Sequence, residues 1–252
     1  MELQPLADFL LVAALVLYGV TGAVALWRPQ GSVFLVAFAV SVHLGAMVVR
    51  GVAIGYLPLT NKLESFSAAA LGVGVALLLS FRPRRAYVVP LLLLVIGTLW
   101  AAIAIFPLEL GYPAPLMRTV WYPLHVPLSF LSYGLWTAAA VGAANWLWKR
   151  DEAWLALVDR LALQGFAVWT LSMICGGFWG VVAWGAYFMW DPKVIWSVIL
   201  WFHYGSFVHL NRTPSLARRP FARPLLALVG FAWVFVAYVG TSFFFGRSSH
   251  AW

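Results

Sequence analysis

The sequence predicts an all-α, polytopic integral membrane protein with about eight transmembrane helices. Three observations predict it. Of 252 residues, 63% are hydrophobic and 10% charged, too few charges to cover a water-facing globule. The apolar residues gather into runs near the roughly 20 residues that one helix needs to cross the hydrocarbon. No run of about ten residues alternates apolar and polar positions as a barrel strand would, so each span must satisfy its own backbone as a helix.

Taken in order, the spans fall at about 8–27, 32–52, 66–82, 86–106, 124–148, 162–185, 194–211 and 225–245. The first, second and fourth are rich in Leu, Val and Ala. The third is short. The sixth carries Gly176 and Gly177, small residues that permit close helix contact. The seventh is weakened by His203 and His209. Nothing divides the chain, so residues 1–252 read as a single transmembrane domain. Glu2 and Asp8 stand where a cleaved leader would carry basic residues, so no removed signal peptide is expected.

Lysine and arginine set the direction. Loops after the odd-numbered spans hold Arg28; Arg82, Arg84 and Arg85; Lys149, Arg150 and Arg160; and Arg212, Arg218, Arg219 and Arg223. The opposite side holds Arg50, Lys62, Arg118, Lys193 and Arg247. The positive-inside rule therefore puts both termini outside. Because the basic residues sit as juxtamembrane clusters, the formal net charge of +8 does not indicate nucleic acid. Cys175 is the only cysteine, which excludes an internal disulfide, a CxxC pair and a thiolate metal cage.

One stretch stands out. Residues 179–201 hold five of the fifteen tryptophans, at 179, 184, 190, 196 and 201, around Asp191, Pro192 and Lys193. The topology brings it to the outer face together with His125, at the start of span five, and His250, in the C-terminal tail. Neutral imidazoles from two sides would make a six-coordinate haem iron site. Indole and phenol rings would cover the porphyrin, and Lys193, Arg118 or Arg247 would pair with its propionates. Plainer readings stand beside this one. Interfacial tryptophans usually form an aromatic belt, and a histidine at a helix end is more often solvated than ligating. His43 and His209 lie inside spans, where polar groups are costly and more often functional; helix packing would also explain His43, and His203 has no stronger claim. Composition and topology leave these alternatives open.

Residues 184–193, WGAYFMWDPK, resemble the tryptophan-rich WWD signature of haem-handling membrane proteins in cytochrome c maturation. The segment 177–196 is closest to the WGxYWxWDPKE form of the CcsA (ResC) family; in CcmC the Pro-Lys pair is usually absent. Other segments agree in order. HLGAMVVRGVAIGYLPLTNKLES (43–65) is similar to a histidine–arginine–glycine stretch leading into PLxNxYES, with Pro58, Leu59, Asn61, Glu64 and Ser65 matching. HVPLSFLSYG (125–134) resembles the family's histidine-led helix, FVHLNR (207–212) its membrane histidine before a basic loop, and YVGTSFFFGRSSHAW its C-terminal ending.

The resemblance implies a subunit of a holocytochrome c synthase (haem lyase) in a bacterial inner membrane or thylakoid equivalent. It implies His125 and His250 as axial ligands of an outer haem b, with Trp179, Trp184, Tyr187, Trp190, Asp191 and Trp196 around it. His209 is the match for an inner haem site shared with a CcsB (ResB) partner. Other implied partners are an apocytochrome c bearing CXXCH, a thiol-reducing protein and the surrounding membrane lipid. Arg50, Asn61 and Glu64 would either contact haem, shape the substrate cleft or cap a helix, and Asp191 would either organise its loop or approach the iron. Two positions depart from the pattern: Phe188 stands for a tryptophan and Val194 for a glutamate. The alternatives are CcmC-type haem delivery to a chaperone, a non-catalytic regulatory relative and, from another class, a solute transporter or channel. A transporter predicts an inverted repeat, and the two halves show none.

Overall fold

The computed structural model describes residues 3–210, 213 and 220–244. Every regular element among them is helical, and the chain is an integral membrane protein. It divides into two compact units, Met1–Arg118 and Thr119–Trp252.

The first unit holds α1 (Gln4–Trp27), α2 (Ser32–Ile54), α3 (Lys62–Leu79) and α4 (Arg85–Ile105). They form a ring in which each helix touches two neighbours. Helix α1 shows why. Its buried residues are Ala7, Leu11, Ala14, Tyr18, Thr21 and Ala25, a stripe stepping by four and three, mostly small. Phe9, Val16 and Val20 face outward, as lipid contact allows. Polar side chains inside the ring are matched. His43 bonds Ser67 Oγ at 2.8 Å and Tyr18 OH at 3.4 Å, and Ser67 also reaches Met47 Sδ at 3.3 Å. Gly74 leaves room for the Tyr18 hydroxyl.

One end of this ring is organised by Arg50, which is fully buried. It donates to Glu64 Oε1 at 3.2 Å, Asp8 Oδ1 at 3.0 Å, the Leu108 carbonyl at 3.1 Å and the Glu109 carbonyl at 3.0 Å. Asn61 caps α3 by accepting from Glu64 N–H at 2.9 Å. Glu64 Oε2 in turn accepts from the Thr60 N–H and hydroxyl. The arginine thus joins α1, α2, α3 and the segment after α4.

The second unit holds α5 (Trp121–Lys149), α6 (Glu152–Trp184), α7 (Pro192–Leu210) and α8 (Ala222–Phe235); a π-helical turn, Val236–Gly240, and Thr241–Phe243 carry α8 on. These four also close a ring, across which α6 additionally touches α8. Helices α5 and α6 reverse through Arg150, whose φ of 54° is left-handed and whose guanidinium lies over the Trp146 and Phe221 rings at 4.4 and 4.3 Å. The core is aromatic. Trp136 stacks on Tyr204, centroids 3.8 Å apart and planes 2° from parallel, and donates to the Ala162 carbonyl at 3.3 Å. Gly165 is what lets that indole in, since a Cβ there would run into its five-membered ring. Gly165→Ala is therefore expected to destabilise the unit by about 1–3 kcal/mol through overpacking. A lowered Tm in detergent checks this; an unchanged Tm contradicts it.

Two differences from the hydropathy reading have physical causes. Helix α6 begins about ten residues earlier than its expected span. Glu152, Asp159 and Arg160 mask the signal, while Trp154, Leu155, Leu157, Val158 and Leu161 form a buried face. Arg160 accordingly lies in the helix and not in a loop. Among the described residues, seven helices are long and apolar enough to cross a membrane. Helix α7 is the exception, diluted by Lys193, His203 and His209. His203 is satisfied within the ring, donating from Nε2 to the Leu226 carbonyl at 2.9 Å.

Candidate functional site

A pocket opens in the second unit where α6 ends and α5 and α7 begin. It encloses about 690 Å³ including its open mouth, and His125, Met173, Trp179, Trp184, Tyr187, Phe188, Lys193 and Val194 help to line it. Three glycines near the end of α6 build it. A Cβ on Gly176 would lie 2.8 Å from His125 Cε1 and Nδ1, one on Gly177 3.7 Å from the Tyr187 ring, and one on Gly180 2.8 Å from the Ala186 carbonyl. The chain turns back over this bare surface because Gly185 ends α6 with φ 76°.

His125 is held firmly. Its Nδ1 lies 2.8 Å from the Ser172 carbonyl and 3.0 Å from Ser172 Oγ. A carbonyl only accepts, so Nδ1 carries the proton and Nε2 the lone pair. The ring lies beside Trp179, centroids 6.0 Å apart and planes inclined by 27°. Trp179 itself is buried, edge-on to Tyr122 at 5.0 Å and to Trp184 at 4.8 Å. Flat apolar surface, an oriented imidazole and one ammonium group from Lys193 share the pocket. Such a set suits a planar aromatic ligand with a Lewis-acidic metal and an anionic edge.

The other residues singled out from sequence are more scattered. Tyr187 and Phe188 line the mouth and are exposed, Val194 lines the wall. Trp190 is 86% exposed and packs on Phe188 outside the lining. Asp191 is buried and starts α7, its carboxylate accepting from Lys193 N–H at 2.8 Å. Trp196 turns away to Trp233, 5.3 Å off. His209 is exposed at the far end of α7, about 24 Å along the helix from Lys193. Arg118 belongs to the first unit. His250, Arg247, Arg212, Arg218 and Arg219 lie outside the described residues.

Sequence reasoning passed over Ser129, Ser172, Met173 and Gly180. The available signal was helical spacing: Ser172, Gly176 and Gly180 recur every four residues on one face of α6.

Fold and pocket together define a polytopic helical membrane protein with an aromatic, histidine-bearing pocket at one end of a four-helix ring. The chain belongs to the cytochrome C assembly protein family, whose model matches residues 9–246. Its relatives include the cytochrome c biogenesis protein CcsA of Prochlorococcus marinus strain MIT 9515, 26% identical across 90% of this chain and 87% of that protein. CcsA of Guillardia theta is also 26% identical, across 88% and 84%. The CcsA resemblance read from sequence is thus the one these relatives return, and the chain's role lies in cytochrome c assembly. Among solved structures, the cytochrome c haem lyase CcmF superposes with a TM-score of 0.73 over 98% of this chain, at 17% identity. The likeness is one of fold, and this chain spans about half of CcmF, 47% of its length.

Proposed function

We propose that this protein binds haem b as substrate in the pocket at the end of α6 and, with a CcsB-type partner, presents it to the CXXCH motif of an apocytochrome c. The observation that carries the proposal is His125: an imidazole with Nδ1 anchored to a backbone carbonyl is prepared to ligate through Nε2. Trp179, Trp184 and Tyr187 cover the porphyrin, and Lys193 pairs with a propionate. His250 is the second axial ligand by family resemblance, and His209 the ligand of an inner site reached before the outer one. The two helical units act as one haem-handling domain. The basic-residue distribution supports an outward-facing pocket in a bacterial inner membrane or its thylakoid equivalent.

The protein's share of the reaction is positioning. Each cysteine S–H adds across a vinyl C=C: sulfur bonds one carbon, the hydrogen ends on the other, and no external oxidant is consumed. The thiols come from the apocytochrome, kept reduced by a separate thiol-reducing protein, since this chain has only Cys175. Lyase activity is therefore a property of the assembly.

Protein purified from haem-replete cells, with its partner, is expected to show a bis-histidine Soret spectrum. His125→Gly should lose it, and added imidazole should restore part of it. Absence of any Soret band, with or without the partner, overturns the proposal. Co-expression with the partner and a CXXCH reporter should give covalent haem; haem bound but never attached would favour delivery to a chaperone.

A further inference from the structure

We infer that Ser172 on α6 and Ser129 on α5 are positioning residues that hold His125 in one tautomer and aim it as a ligand. The inference rests on the reading of His125 as an iron ligand and goes beyond it to what prepares that ligand.

The hydrogen-bond count carries the argument. Ser129 Oγ and Ser172 Oγ lie 2.7 Å apart, and the backbone carbonyl of His125 is within reach of a proton from either, at 3.1 and 2.9 Å. Two hydroxyls have two protons. One proton serves the bond between the hydroxyls, whichever donates, and the other goes to the His125 carbonyl. None remains for His125 Nδ1, 3.0 Å from Ser172 Oγ. Nδ1 must then be the donor, shared between Ser172 Oγ and the Ser172 carbonyl at 2.8 Å. The serine pair and the carbonyl therefore demand the same tautomer.

The surroundings make this a built arrangement. Ser172 is fully buried and Ser129 nearly so, and the Gly176 surface, one turn on from Ser172, fits the imidazole face. An N–H donated to fixed acceptors makes the opposite nitrogen more basic, which strengthens its bond to ferric iron. Helix-to-helix adhesion alone would use the same hydroxyls, but it would not alter the electronics of a ligand on His125.

The test compares Ser172→Ala, Ser129→Ala and the double variant with the parent, each purified with its partner and titrated with ferric haem. Loss of the hydroxyls is expected to weaken haem binding about 10- to 100-fold and to raise the midpoint potential, with the Tm of the haem-free protein little changed. Ser172→Thr, which keeps a hydroxyl, should bring both back toward the parent. Should Ser172→Ala fail to accumulate, Ser129→Ala alone carries the comparison. Parental affinity and potential in the alanine variants overturn the inference, as does a loss that follows Tm and is not rescued by threonine. His125→Gly separates the two levels. If it keeps the parental spectrum, the ligand reading itself fails; if it loses the spectrum while the serine variants match the parent, only the positioning role fails.

Discussion

Arg50→Ala is expected to lower the stability of the protein by about 3–5 kcal/mol, the largest effect of any single polar substitution in the first unit. The guanidinium is fully buried and spends its donors on two carboxylates and two carbonyls. Removing it leaves Glu64, itself fully buried, with a charge that Thr60 still contacts but no guanidinium matches. It also takes the close donors from the Leu108 and Glu109 carbonyls and leaves them the longer 3.5 Å bonds from Gln4 and Asn61, so the segment after α4 is held more weakly. The penalty comes from stranding partners, not from the intrinsic worth of an ion pair. Arg50→Met combined with Glu64→Leu should therefore be milder than Arg50→Ala alone, a non-additive pair by contact. Unfolding in mixed detergent micelles measures both. A loss below about 1 kcal/mol for Arg50→Ala would show that the cluster is solvated in the membrane protein.

Gly176→Val is expected to abolish haem binding in the purified complex, leaving less than about a tenth of the parental Soret absorbance. A Cβ at that position already lies 2.8 Å from two atoms of the His125 ring and 3.3 Å from Cγ. The ring cannot step aside cheaply, because Ser172 holds Nδ1 from the same helix. Overpacking should cost about 1–3 kcal/mol, small beside the loss of ligand geometry. Gly97→Ala is the control, since nothing lies within 4 Å of a Cβ there. Parental haem content in Gly176→Val would mean that His125 reaches its ligand from another position.

These two glycine and arginine effects mark where sequence reasoning reached and where it stopped. Arg50, Asn61 and Glu64 were visible as a polar group between spans two and three, with capping and haem contact both open. The structure shows Asn61 capping α3 and Arg50 engaged by four acceptors within its own unit. Polar residues near a span end look alike in sequence whether they meet a ligand or one another. Gly176 was legible as a site of close approach, but not that an imidazole makes the approach, because His125 lies far away in the chain.

The same limit applies to the tryptophans. Trp179, Trp190 and Trp196 share one chemistry and one motif, yet the first is buried beside His125, the second is 86% exposed and the third packs on Trp233. Serines fared worse: Ser129 carries no signal among apolar neighbours, Ser172 shows no more than its four-residue spacing with Gly176 and Gly180, and the pairing of α5 with α6 is what gives them a role.

Sequence by itself determined the membrane class, the helices and the family. Hydropathy suffices for the first two because a bilayer offers the backbone no partner, so each apolar segment must close its own hydrogen bonds. The WGAYFMWDPK segment suffices for the third. Only the tertiary structure decided which aromatic rings wall the pocket, which tautomer His125 adopts and which glycines make room for it. Those properties depend on direction and close approach between helices, and the positive φ of Gly185 that turns the chain back over α6 is set by contacts that no one-dimensional pattern contains.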